Sequence, residues 1–200
     1  KLDRSGCVAV FCGEAEIGQG SDSVLAVIVA EVLGIDLADI RLCVGDTDLT
    51  PVDLGSYSSR VTMMVGQAAL QAAERARDTI AKAVAEHLQV PAEGLVFTDR
   101  RVFTASDPEI GMSFSEAVVV AEALFGTLGT TGSYTPPRAP GRYRGAGVGP
   151  SPTYSYSAAV VEVDVDPETG VYDVSHVWIG HDIGTAINPV LALGQVEGSV

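Results

Sequence analysis

The chain has 200 residues, of which 46% are apolar, enough for a sizeable core in one large or two small domains. Twelve basic against 26 acidic residues give a formal charge of −14, which argues against nucleic acid or an anionic membrane as a partner, since both reward clustered Lys and Arg. The longest apolar run, Val24 to Ala30 continued past Glu31 by Val32 and Leu33, is too short for a bilayer core of about 30 Å, so no membrane partner is expected.

Cys7 to Cys12 reads as a short apolar strand. The turn Gly18-Gln19-Gly20-Ser21-Asp22-Ser23 then feeds a helix over 23–33, apolar on most faces and hence expected to be deeply buried. Ile40 to Val44 is a second strand. After a polar loop, Gly45 to Ser59, apolar residues from Val61 to Leu88 recur at three- and four-residue spacing and predict a long Ala-rich helix. Leu95 to Thr104 predicts a hairpin turning at Asp99-Arg100. Ser113 to Leu124 predicts a helix with Ser113 and Glu116 as a capping box. Residues 126–144, rich in Gly, Pro, Thr and Arg, read as a loop crossing from a first half (1–125) to a second (145–200). Tyr154 to Asp164 and Val171 to Gly180 predict antiparallel strands joined by Asp166 to Gly170. Asn188-Pro189 opens a final helix that the sequence leaves running at Val200, so an excerpt of a longer chain is expected. The fold class expected is α+β, mixed sheets with packed helices. Cys7, Cys12 and Cys43 have no metal-ligand spacing and read as buried strand thiols of a reducing compartment, which gives a cytoplasmic expectation.

Two turns stand before helices, where unpaired N–H groups and the helix dipole favour an anion. The Gly18 turn partly imitates a dinucleotide fingerprint with Asp46 downstream. However, Ser23 takes the place of the third glycine, and Asp46 lies farther on than the usual about 20 residues. Gly55-Ser56-Tyr57-Ser58-Ser59-Arg60 offers hydroxyls and one guanidinium ahead of the long helix. In each case the bland alternative is a glycine turn or a helix cap with no ligand. Gly145-Ala146-Gly147-Val148-Gly149 precedes prolines and a strand and reads as close backbone packing. Arg138, Arg142 and Arg144 read either as a solvated linker or as a contact for an anionic substrate tail. His87, His176 and the His181-Asp182 pair offer neither a zinc ligand set nor a nucleophile elbow.

Taken in order, Gly13 to Gly20, Asp46-Thr47, Gly55 to Arg60, Gly66-Gln67-Ala68, Asp182-Ile183-Gly184, Asn188-Pro189 and Gly194 to Gly198 resemble the molybdopterin-binding large subunit of the xanthine dehydrogenase and aldehyde oxidoreductase family. The wording of Gly55 to Arg60 and of Gly145 to Tyr156 looks most like the alpha subunit of 4-hydroxybenzoyl-CoA reductase. The resemblance implies part of a second molybdopterin-binding domain and a molybdenum ion held as molybdopterin cytosine dinucleotide. It places Gly18, Gln19 and Gly20 at the cofactor, with Gln19 near the metal's oxo ligand. It places Gln195 at the pterin, with Gly194, Gly198 and Ser199 beside it, and Ser56, Tyr57, Ser58, Ser59 and Arg60 at the phosphates. Iron–sulfur and flavin (FAD) partner subunits and an aromatic CoA thioester substrate are implied. The alternatives are a purine, aldehyde or N-heterocycle dehydrogenase of the same family, a scaffold subunit without chemistry, and a nicotinamide-binding Rossmann domain. The family's glutamate base is expected beyond Val200, so residues 1–200 are expected to be inactive by themselves.

Overall fold

The computed structural model describes residues 1–137 and 153–200, which divide into two compact units, 1–135 and 136–200. The expectations for Arg138, Arg142, Arg144 and Gly145 to Pro152 lie outside the described residues. The architecture is α+β: one parallel pair of strands, a three-stranded antiparallel sheet, a two-stranded antiparallel ribbon, and packed helices.

In the first unit β1 (Val8–Cys12) and β2 (Ile40–Val44) run parallel, with Val8 opposite Ile40 and Cys12 opposite Val44. Parallel neighbours require a crossover, which α1 (Ser21–Leu33) provides. It starts two residues earlier than expected, because Gly20 adopts φ 82° and turns the chain directly into the helix. Leu25, Val29, Ala30 and Leu33 form its buried stripe, while Val24, Val27 and Ile28 are only half-buried, so it is buried along one face rather than on most of them. The cysteines also sit differently: Cys12 is buried in β1, Cys43 is half-buried in β2, and Cys7 lies half-buried just ahead of β1.

The long helix α2 (Val61–Leu88) buries Val65, Ala69, Ala73, Ala76, Ile80, Ala83 and Val84. Small side chains at this spacing let α1 and the later helix α3 (Phe114–Phe125) approach closely; a Cβ on Gly66 would stand 3.1 Å from Ile28 Cδ1. β3 (Leu95–Thr98) and β4 (Arg101–Thr104) form the expected hairpin, with Asp99 and Arg100 both left-handed (φ 51° and 58°). That strained turn is docked: Arg100 N–H donates to the Gly34 carbonyl at 2.8 Å, and its guanidinium reaches Asp39 at 2.8 Å.

A third strand, β5 (Asp107–Ser113), pairs antiparallel with β4 and was not expected. Its Pro108, its acidic residues and its Gly111 are poor strand formers, but an edge strand tolerates proline. Gly111 is required there, since a Cβ would overlap Val102 and Phe103 of β4. α3 (Phe114–Phe125) begins at Ser113 with both halves of the capping box formed. Residues 127–134, expected as the start of an open linker, are a packed strap across α2: Thr130 Oγ1 donates to Ala72 O at 2.8 Å, and Leu128 is buried.

The second unit carries β6 (Tyr156–Val165) and β7 (Tyr172–Asp182), antiparallel around a turn closed by Asp166, and then α4 (Pro189–Glu197). Asn188 caps α4, accepting from Leu191 N at 3.2 Å. Ala159, Val161, Val163 and Val165 of β6 pair with Ile179, Val177, Val174 and Tyr172 of β7, so one face of the ribbon is apolar and exposed within the unit itself.

Candidate functional site

The glycines at 18 and 20 adopt left-handed conformations (φ 96° and 82°) and turn their N–H groups inward. The anion they receive is the protein's own. Glu16 Oε1 accepts from Gly18 N at 2.7 Å and from Gly20 N at 3.0 Å, and its Oε2 accepts from Asp22 N at 3.1 Å and from the Ser21 hydroxyl at 3.3 Å. Burial opposes this ionisation, yet those four donors hold the Glu16 carboxyl below its usual range. The start of α1 is therefore an anion site filled by a side chain two residues before Gly18, and a phosphate finds those donors taken. Asp46 is likewise spent on its own loop, accepting from Asp48 N at 2.9 Å and from Leu49 N at 3.2 Å. Although β1, α1 and β2 form a parallel βαβ unit, these two occupancies remove the donors and the acid that a nicotinamide dinucleotide needs.

The Gln19 carboxamide is also committed within the turn. Its Oε1 accepts from Ile17 N at 2.7 Å, and its Nε2 donates to Ala15 O at 3.2 Å and to Ser21 Oγ at 2.9 Å. A backbone donor on one end and a backbone acceptor on the other fix the amide's orientation. Both Nε2 protons are thus used within the turn. Ser21, having accepted from Gln19, shares its one proton between Glu14 Oε2 at 3.1 Å and Glu16 Oε2 at 3.3 Å. Glu14 is fully buried, and its Oε1 has no hydrogen-bond partner among the described residues. Burial, followed by the charges of Asp22, Glu16 and Asp53, pushes its carboxyl up, while the Ser21 hydroxyl pulls the other way. Burial, followed by the charges of Glu14, Asp22 and Asp53, pushes the Cys12 thiol up to about 11, so Cys12 is an inert thiol.

The second turn lies against the first. Ala15 N donates to Ser56 Oγ at 3.1 Å, and the Ser56 hydroxyl donates back to Ala15 O at 2.6 Å. A Cβ on Gly13 would overlap the Pro51 carbonyl, so glycine is what lets the two segments touch. Arg60 folds back on Asp53, with Nη1 at 2.7 Å from Oδ1 and Nη2 at 3.3 Å from Oδ2, and it also donates to Gly55 O at 2.9 Å. Burial opposes it, but the Arg60 guanidinium and the Gly55 N–H hold the Asp53 carboxyl below its usual range. Arg60 thus anchors the loop and is already neutralised by Asp53 rather than held out for a phosphate.

What remains open is the start of α2. Ser58 and Ser59 are both left-handed (φ 56° and 51°) and exposed, and their hydroxyls have no hydrogen-bond partner among the described residues. The N-cap Arg60 makes no side-chain cap, and no acidic residue stands in the first turn. Two consecutive non-glycine residues in this region carry strain, which surrounding structure has to offset. Tyr57 is exposed, with the Arg60 guanidinium 5.8 Å from its ring centroid. Behind the turns a cavity of about 930 Å³ is lined by Val10 and Cys12 of β1, Met64 and Ala69 of α2, Leu128 of the strap, and Asp53 and Arg60.

In the second unit the Gln195 side chain is exposed on α4 and its carboxamide has no hydrogen-bond partner among the described residues, and Gly194 is exposed one residue before it. Gly198 closes α4 by donating to Gly194 O at 3.0 Å, and the Ser199 hydroxyl donates to Val196 O at 2.8 Å. Among the described residues no cluster of three or more His, Cys, Asp or Glu side chains is arranged to hold a metal ion. No helix among them is long and apolar enough to cross a membrane. Sequence reasoning passed over Glu14, Glu16, Ser21 and Asp53 as site residues. The available signal was three acids, Glu14, Glu16 and Asp22, crowded around the start of a helix, where carboxylates serve as caps.

A probable hypoxanthine oxidase XdhD of Escherichia coli (strain K12) is 33% identical over 100% of this chain and 20% of its own length. The carbon monoxide dehydrogenase large chain of Afipia carboxidovorans is 29% identical over 100% of this chain and 24% of its own. The structure of quinoline 2-oxidoreductase from Pseudomonas putida 86 superposes with a TM-score of 0.80 at 28% identity, covering 98% of this chain and 24% of that one. The chain thus spans about a fifth to a quarter of the length of these proteins. The family described as molybdopterin cofactor-binding domain matches residues 1–200. The chain belongs to the molybdopterin cofactor-binding domain family, as found in large subunits of the xanthine dehydrogenase and carbon monoxide dehydrogenase kind.

Proposed function

We propose that this chain forms part of the cofactor pocket of a molybdenum-dependent oxidoreductase and holds molybdopterin cytosine dinucleotide. The observation that carries the reading is the contrast between two adjoining helix starts. Glu16 fills the first, while the second, at Ser58 and Ser59 ahead of α2, has exposed hydroxyls, an uncapped helix start and strained backbone. These residues fit the cofactor's anionic end: hydroxyl and backbone donors receive phosphate oxygens without a basic patch, which suits a chain of charge −14. Ser56 and Arg60 serve that end indirectly, clipping and anchoring the turn that presents Tyr57, Ser58 and Ser59. Gly18 and Gly20 shape the wall that carries Gln19, whose place in this reading is near the metal's oxo ligand. Within the second unit the same reading assigns a pterin-binding role to Gln195, an exposed amide on α4, with Gly194, Gly198 and Ser199 beside it.

When bound, the cofactor supplies two-electron chemistry at molybdenum with an oxygen atom exchanged with water. This chain's residues bind and orient it; Glu16 and Asp53 keep the two turns in place, and the buried Cys12 thiol takes no part. For the substrate, relatives named for hypoxanthine and quinoline favour hydroxylation of a purine or other electron-poor N-heterocycle. They lend less support to the narrower expectation of 4-hydroxybenzoyl-CoA reduction. Iron–sulfur and flavin subunits are the partners through which electrons would leave. The domain reading carried with this is a first half at 1–125 and a second at 145–200, joined across 126–144.

The test is made on the full-length protein purified from cells competent in molybdenum cofactor synthesis. Equal amounts of molybdenum and acid-released CMP per chain are expected. Their absence from a folded protein contradicts the reading. Turnover of hypoxanthine or quinoline with an artificial acceptor, against reduction of 4-hydroxybenzoyl-CoA by a low-potential donor, decides between the two substrate classes.

A further inference from the structure

We propose that the cavity beside β1 is a slot for one further strand. In the full-length protein it is filled by the stretch directly before Lys1, which runs antiparallel to β1 between that strand and the strap at 127–134. The slot does not depend on the cofactor reading, because backbone hydrogen bonding and packing on α2 define it.

The first residues already occupy its near end. Lys1 N donates to Ala9 O at 2.9 Å, Ala9 N donates to Lys1 O at 2.8 Å, and Asp3 N donates to Cys7 O at 3.1 Å, an antiparallel ladder with Leu2 opposite Val8. On the other side Leu2 N donates to Leu128 O of the strap at 3.2 Å, so this short segment is held on both flanks. From there both walls run toward the start of α2. The strap passes Ala72, where Thr130 bonds, and then Ala68, where Gly132 packs; β1 leads to Gly13, which lies against Pro51 and Asp53. Between them the cavity of about 930 Å³ lies over Ala69 and Ala73, whose small side chains leave room for a backbone.

Ala9 uses the edge of β1 that faces away from β2, so Phe11, two residues on, presents its N–H and carbonyl to the same side. Left open, such an edge sets polar groups against apolar walls and offers a template to other chains. Continuing the ladder sets the first residue before Lys1 opposite Val10, the second opposite Phe11 and the third opposite Cys12. Leu2, Val8 and Cys12 are buried whereas Phe11 is exposed, so the first and third of these residues face the core and the second faces outward. A separate peptide would have to abut Lys1 inside the slot. A continuous chain needs no such break, and turning away at Lys1 would forfeit the pair with Phe11.

The test is made in the full-length protein carrying Cys43→Ala, because Cys43 stands beside Phe11 in β2. Phe11→Cys is combined with cysteine at either the first or the second residue before Lys1. Opposite positions of a hydrogen-bonded antiparallel pair lie about 5.5 Å apart at Cα, within reach of a disulfide. After mild oxidation the second position is expected to give about ten-fold more linked peptide than the first, which faces the other way, as read by mass spectrometry of the digest. No linked peptide from a folded second-position variant, or equal linkage from both, overturns the proposal. If the cysteine variants fail to fold, the unsubstituted protein decides. Its Phe11 amide is expected to exchange more than about a hundred-fold more slowly than an unstructured amide, and faster exchange overturns the proposal.

Discussion

At the residue scale the site is governed by where carboxylates find donors. Asp53 and Glu16 have folded pKa values below their ordinary 3.8 and 4.5, so the stability they contribute is present above those values and is lost as pH falls through the folded ones. Glu14 and Asp22 are shifted the other way, each with burial as the first cause. Their favourable contribution is complete below 4.5 and 3.8 and is lost as pH rises through the folded values. Stability should therefore peak in mildly acidic solution. Replacing Glu14 by Gln should raise stability at pH 7 by about 1 kcal/mol and flatten the decline above pH 4.5, as read by urea unfolding across pH. Asp53→Asn should destabilise at pH 7, since it leaves the Arg60 guanidinium, mostly buried, without its counter-charge. The glycine pattern and the hydroxyl-rich turn were legible in the sequence because each residue type has a local reason to be there. The occupancy of the first turn by Glu16 was not, because a capping acid and a bystander acid look alike until the backbone closes around one of them.

At the element scale, periodicity and capping chemistry located most helices and strands. β1, β2 and α2 follow directly from alternating or three-to-four-residue apolar spacing, and α3 from Ser113 and Glu116. β5 escaped because its pairing is decided by β4 beside it, which supplies a ladder to residues with little strand preference of their own. The strap at 127–134 escaped for a similar reason: composition marks it as a loop, and only the Ala72 and Thr131 carbonyls, taking Thr130 and Arg75, show that it is packed. Ser113→Ala should cost about 1 kcal/mol by loss of the cap. Ala73→Leu, which forces volume into the closely packed face of α2, should cost about 1–3 kcal/mol, and differential scanning calorimetry would read both.

For the whole molecule, the two units differ in how far they can stand alone. The first has a core shared by α1, α2, β4 and α3, with Leu25, Ile80, Val102 and Phe114 almost fully enclosed. The second is a two-stranded ribbon with its apolar face open and a nine-residue helix, an arrangement that is marginal by itself in water. Residues 153–200 expressed alone should show no cooperative thermal transition by circular dichroism; a sharp transition would contradict this. The central claim is that the start of α2 at Ser58 and Ser59 receives the phosphates of a molybdopterin dinucleotide. The most direct measurement is the molybdenum and CMP content of full-length Ser59→Asp. Aspartate accepts the left-handed backbone of residue 59, and a negative charge there favours the helix dipole, so the protein should be as stable as wild type or more so. The account predicts that it loses most of its CMP and molybdenum, because the new carboxylate takes the place of the phosphate and repels it. Wild-type content in a stable Ser59→Asp protein would contradict it.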